Sequence, residues 1–129
     1  MKKIIFSFSS ILFFVLTGFT PVSGQNFKFE KTTHDFGVVK SGKDTLWVDF
    51  KFTNDGSEPL LISDVKTSCD CTLANWPKTA IQPGQSGVIK GGFKIEGKSD
   101  AFTKNIIIIA NTMPGTTFLT MKGLIVPRQ

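Results

Sequence analysis

The stretch "TLWVDFKFTN" (45–54) alternates without a break: Leu46, Val48, Phe50 and Phe52 share one face, while Thr45, Trp47, Asp49 and Lys51 share the other. A period of two held over ten residues marks a strand with one face on a core and one in water. "GVIKGGFKI" (87–95) repeats the pattern, with Ile89, Phe93 and Ile95 set against Lys90 and Lys94. "FLTMKGLIV" (118–126) follows it more loosely. "KNIIIIAN" (104–111) places four isoleucines in succession, which predicts a central strand covered on both faces, because as an open edge such a run invites aggregation. Turn signals separate these runs at short intervals: Ser41-Gly42, Asp55-Gly56, Pro83-Gly84, Gly97 and Pro114-Gly115, each fixing φ or giving access to positive φ. Segments 27–31, 38–39, 45–54, 60–67, 87–95, 102–111 and 118–126 make about seven strands, and no segment carries a 3.6-residue apolar stripe. The expectation is all-β, an immunoglobulin-like β-sandwich, with a small barrel as the alternative.

The first residues, "MKKIIFSFSSILFFVLTGFTPVSGQ", read differently. Lys2 and Lys3 precede an apolar run from Ile4 to Phe19, and Val22 and Gly24 offer small residues for cleavage. That is the layout of a secretory signal peptide over 1–24. A membrane anchor is the alternative, but the run is marginal against the roughly 20 apolar residues a span needs. Cleavage would leave one domain, 25–129, exported to the periplasm or secreted, with no stable membrane insertion. The remainder carries 13 basic and 10 acidic side chains. Its lysines are scattered, so the concentrated basic face of a nucleic-acid binder is not expected. Five of the 13 Phe lie in the leader, and the other eight are core candidates.

Several motifs then stand in a particular order: "HDFGVVKSG" (34–42), the alternating strand, "NDGSEPLLI" (54–62), "SCDCT" (68–72), "WPKTAIQPGQSGVI" (76–89) and "FTKNIIIIAN" (102–111). Together they resemble the bacterial domain-of-unknown-function 1573 family over about 29–126. The resemblance implies an exported immunoglobulin-like sandwich, similar also to the domains of major sperm protein and of ciliary and centrosomal scaffold proteins, which bind other proteins. The family pattern usually has Gly between the cysteines, and this chain has Asp70.

Cys69 and Cys71 are the only cysteines. Export places them where thiols tend to pair. Two residues apart in an extended strand, their Cα atoms would lie about 6.6 Å apart, at the far end of what a disulfide accepts. Closure therefore calls for a bulge or turn, expected here through a left-handed φ at Asp70, one of the few residue types that tolerate it. Four readings stay open: a strained, reducible Cys69–Cys71 disulfide, reduced cysteines packed at a strand end, a thiolate site for copper or zinc, and disulfide exchange with a partner. As a staple the bond does little, because a loop of about three residues yields only about 1.6 kcal/mol in the chain-entropy model.

"DFG" (35–37) matches a kinase tripeptide, yet nothing else of a kinase is present; Phe36 is expected to pack inward and Gly37 to permit a bend. His34 and Asp35, adjacent in a strand, point to opposite faces, so no base with its orienting carboxylate is expected. Trp47 lies on the polar face of its strand and is a candidate contact residue. Trp76 is read either as an anchor for the segment after the cysteines or as a contact. The expected function is non-enzymatic binding of a protein or cell-envelope component, without cofactor or metal, through a loop from Ser68 to Trp76 that includes Asp70 and Thr72. A thiol-disulfide or metal-handling protein using Cys69 and Cys71 is the alternative.

Overall fold

In the computed structural model, which describes residues 24–128, the alternating stretch 45–54 is a ten-residue strand. Eight strands follow one another: β1 (Phe27–Phe29), β2 (Thr33–Lys40), β3 (Thr45–Asn54), β4 (Ile62–Thr67), β5 (Thr72–Asn75), β6 (Ser86–Lys94), β7 (Asp100–Ala110) and β8 (Thr116–Val126). They form two four-stranded sheets, a front sheet ordered β1-β3-β6-β5 and a back sheet ordered β2-β8-β7-β4. All pairings are antiparallel except β2 with β8, which is parallel. No helix appears among the described residues. The expected sandwich is therefore the observed fold, with one strand more than anticipated. The expected leader lies outside the described residues, apart from Gly24.

The inward positions of both sheets make one core. Phe50, Phe52, Ile89 and Phe93 from the front sheet meet Ile106, Ile108, Leu119 and Met121 from the back sheet, all with almost no exposed surface. Phe93 stacks on Phe102 with ring centroids 4.4 Å apart, while Phe27, Phe29 and Phe52 cluster elsewhere within 5.0–5.5 Å of one another. Phe118 departs from the expected core role and is 58% exposed. Its inward neighbours Leu119 and Met121 carry the core positions of β8, so Phe118 faces out. The isoleucine run also corrects expectation. β7 is central, but only Ile106 and Ile108 point to the core; Ile107 and Ile109 are half-buried on the outer face. Neighbouring strands shield them laterally: Ile107 stands between Phe118 and Lys66, and Ile109 between Thr116 and Asp64.

"HDFG" is resolved as local geometry. The Gly37 amide donates to Asp35 Oδ1 (2.8 Å), Gly37 takes φ +70°, and the β2–β8 register shifts between Asp35 and Val38. The tripeptide is a β-bulge closed by its own aspartate, and Phe36 packs against the core. His34 turns its ring edge to Phe36 (4.5 Å), and its Nδ1 accepts from Lys31 Nζ at 2.7 Å. Burial, then the Lys31 ammonium, lowers the His34 pKa below 6.5, against a smaller upward pull from Asp35. The folded state thus favours the neutral ring. Its contribution is full above the ordinary imidazole pKa and is lost as pH falls through and below it. We expect thermal stability to decline modestly between about pH 7 and pH 5, and His34→Gln to flatten that slope in a melting series.

Candidate functional site

β4 is an edge strand of the back sheet and β5 an edge strand of the front sheet. The chain crosses between the sheets within Ser68, Cys69, Asp70 and Cys71. So abrupt a crossing needs a tight turn, and the "SCDCT" motif supplies its bonds. The Thr72 amide donates to the Cys69 carbonyl (3.1 Å), and Thr67 Oγ1 donates to the same oxygen (3.3 Å). Thr72 is buried, and its hydroxyl lies 3.4 Å from Cys69 Sγ. On the far side the Lys94 amide donates to the Cys71 carbonyl (2.8 Å), which extends the β5–β6 ladder by one step into the motif.

The turn brings Cys69 and Cys71 together as a pair, with sulfurs in contact and Cα atoms 5.3 Å apart. The anticipated route to this is overturned: among the described residues no non-glycine has positive φ. Asp70 and Cys71 occupy the centre of a four-residue turn from Cys69 to Thr72. A type I turn bends through right-handed conformations at both central positions and accepts most residues. It shortens the extended span without a left-handed residue, so Asp70 closes the turn with no need of a glycine. Asp70 and Ser68 are exposed; both cysteines are half-buried, and Cys71 touches the core.

The expected loop from Ser68 to Trp76 does not exist as such, because Thr72–Asn75 is β5. Trp76 lies at the opposite end of β5 from the cysteines, half-buried against the core, with the Lys78 ammonium over its ring. It anchors the edge of the sandwich. The four residues of β5 put it about 13 Å from the cysteine turn, and its packing against the core, rather than this distance, takes it off the contact surface.

Trp47 is set by strand register on the outer face of the same sheet, two strands across from β5 and about 12 Å from Cys71 at ordinary strand spacings. Trp47 faces Gly92, which faces Leu73; one step along, Thr45 faces Lys94, whose amide bonds Cys71. These two rows form a corner of the front sheet's outer face. Trp47 is 50% exposed, yet Gly92 beneath it is buried. A Cβ added at Gly92 would fall 2.6–3.0 Å from three atoms of the Trp47 six-membered ring. The absence of a side chain at Gly92 is what lets the ring lie down on β6. Lys90 Nζ stands 5.7 Å from the ring centroid.

Gly92, Lys94, Lys90 and Leu73 were not legible as site residues, because the β3–β6 register that gathers them joins segments some 40 residues apart. The only available signal was the pair of glycines in "KGGFK": Gly91 under the core and Gly92 under the tryptophan. His34 is not near the cysteines. It lies on β2, the opposite edge of the back sheet from β4, about 14 Å away at ordinary strand spacing. Among the described residues, no group of three or more His, Cys, Asp or Glu side chains converges.

Comparison with solved structures finds a similar fold in other proteins. A protein of unknown function from Porphyromonas gingivalis W83 superposes with a TM-score of 0.67 at 21% identity, covering 85% of this chain and 51% of that one. The Vibrio cholerae VesB protease matches at 0.60 and 12% identity, over 78% of this chain and 31% of that one. A family 123 glycoside hydrolase from Clostridium perfringens matches at 0.56 and 12%, over 75% and 23%. This chain thus spans about half or less of each, and at these identities the likeness is one of fold. A comparison with curated proteins finds no match. The sequence pattern described as "Protein of unknown function (DUF1573)" matches residues 27–125, nearly the whole sandwich with the cysteine turn inside it, and the chain belongs to that family.

Proposed function

We propose that the chain is an exported, non-enzymatic binding domain whose contact surface is the corner formed by the cysteine turn and Trp47, and whose Cys69 and Cys71 are joined as a disulfide that locks this corner. The leader-like sequence of residues 1–24 supports export. One observation carries the choice of surface. The turn sits where the chain changes sheets, flanked by two free strand edges, and a half-exposed tryptophan is fixed on the adjoining row. Free edges and connecting segments are the usual contact surfaces of a sandwich, and an exposed, immobilised Trp is a typical anchor. The 5.3 Å Cα separation lies within the disulfide range, which supports the bond over two separate thiols. Its loop is too short to add much stability, so its role is to hold the turn for a partner.

Intact mass and free-thiol titration of the exported protein test the bond: reduction should add two daltons and expose two thiols. Replacing both cysteines by serine should cost no more than about 1.6 kcal/mol in urea unfolding, yet weaken capture of the partner from envelope extract. Unchanged capture would sink the locked-corner reading. Stoichiometric copper or zinc uptake, or turnover of a model disulfide, would replace it with the thiol- or metal-handling alternative.

A further inference from the structure

The Trp47 ring is a platform with one face on β6 and the other half-exposed, the Lys90 ammonium standing over it 5.7 Å from the centroid. Its lower face rests on the Gly92 backbone and its upper side is half-exposed. A ring held this way meets a ligand face-on and loses little conformational freedom on binding. The surroundings then select the ligand. Two lysines, Lys90 and Lys94, flank Gly92 on β6 by two residues each way, about 6.6 Å along the strand. Lys51 and Lys28 point outward on the same face, and Asp49 is its one acidic strand residue. Glu30, whose amide continues the ladder to the Lys51 carbonyl, stands on the same face just beyond β1, so four lysines are opposed by two carboxylates and the face keeps a surplus of two positive charges.

A cationic ligand is disfavoured by that surplus and by Lys90, whose ammonium already stands over the ring. An apolar protein partner would need a wider apolar surround, and among the strand neighbours only Leu73 and Val88 supply any. What fits is a ligand with a flat, weakly polarised C–H face to lie on the negative π surface and anionic groups at its rim for the lysines. We infer that the Trp47–Gly92 platform binds an acidic polysaccharide, a pyranose ring stacking on Trp47 while uronate carboxylates pair with Lys90 and Lys94. This rests on the corner being a contact surface and names its ligand as a carboxylate-bearing glycan of the cell envelope.

The test titrates the exported protein with polygalacturonate oligomers, with neutral dextran oligomers and oligo-dT as comparison probes, following tryptophan fluorescence and calorimetry. Polygalacturonate should bind with a salt-dependent affinity. Trp47→Ala should weaken it about tenfold or more while the protein stays folded, the melting temperature falling only by what the half-buried ring contributes. Trp47→Phe should recover part of the loss. Lys90→Gln with Lys94→Gln should weaken binding severalfold and flatten its salt dependence. Gly92→Val, which lifts the ring, should mimic Trp47→Ala; should that variant not fold, Trp47→Ala still decides. Absence of polygalacturonate binding at millimolar concentration, equal binding by Trp47→Ala, or tighter binding of oligo-dT overturns the inference. If glycan fails but capture of a protein partner is lost with Trp47→Ala, the ligand assignment falls while the contact surface stands. If the cysteine and Trp47 variants both capture as well as wild type, the contact surface itself falls.

Discussion

Replacing Asn54 by leucine should destabilise the protein by about 3–5 kcal/mol, the largest effect expected of any single polar residue. Asn54 ends β3, and its side chain is fully buried. Its Nδ2 donates to the Glu58 carbonyl (2.8 Å) and the Ile81 carbonyl (2.9 Å). Its Oδ1 accepts from the Gly56 amide (3.0 Å) and, at 3.5 Å, from the Asn26 amide. One amide group thus ties the segment before β1, the turn after β3 and the Leu60–Ile81 bridge into one cluster. Leucine keeps the branching and heavy-atom count, adds bulk at a fully buried site, and strands these backbone groups; each buried loss costs about 1–3 kcal/mol, less where water reaches the part-buried partners. Asn54→Asp should do comparable harm at neutral pH, because it aims a carboxylate at two carbonyl oxygens, and should recover as acid protonates it. Urea unfolding at two pH values reads both effects. A loss below about 1 kcal/mol for leucine would mean that these groups find other partners.

The same residue marks the boundary of what the chain discloses by itself. "NDGSEPLLI" is recognisable as a motif, but the reason for its asparagine lies in Ile81, 27 residues downstream. Strand existence was legible wherever one face is apolar and the other polar: β3 is found with both ends at the expected residues. β5 was missed because "TLAN" is four residues long, and Thr72, its buried inward position, is polar. Thr72 is buried because its hydroxyl meets Cys69 Sγ, a contact that only the turn creates. The isoleucine run misled in the opposite way. Four apolar residues in a row suggest two covered faces, whereas Ile107 and Ile109 are shielded by strand neighbours alone. For the cysteines, spacing disclosed that a turn was required but not its type. Left-handed φ was one way to bend the segment, and right-handed bending at Asp70 and Cys71 is the one used. Trp47 was visible as an outward tryptophan, while the glycine that seats it depends on register across the front sheet.

Phe93→Ala should cost about 3–5 kcal/mol, and should do so at the cysteine corner rather than evenly over the sandwich. Phe93 is almost wholly buried. It pairs with Leu46 on one side and Thr72 on the other, and its ring stacks on Phe102 of the back sheet. It therefore joins the two sheets directly beneath the crossing that the cysteines make. The Lys98 and Lys104 ammonium groups stand 5.8 and 5.9 Å from the same ring, so the hole left by truncation would open towards charged, hydrated groups and take up water easily. Phe93→Leu, which refills most of the volume, should cost about half as much or less. The comparison with the double cysteine-to-serine variant is the informative one. A three-residue ring constrains the unfolded chain by at most about 1.6 kcal/mol, so the aromatic beneath the turn outweighs the cysteine pair in stability. In a domain of this size each kcal/mol moves the melting midpoint by about 4–8 °C. Melting curves of the two variants should thus be well separated, with Phe93→Ala the lower. Amide exchange in Phe93→Ala should rise first at Thr72 and Lys94, whose amides close the turn and the last β5–β6 rung. If instead the cysteine variant melts lower, or exchange rises uniformly, the turn is an energetic pillar of the fold and not a feature held in place for binding.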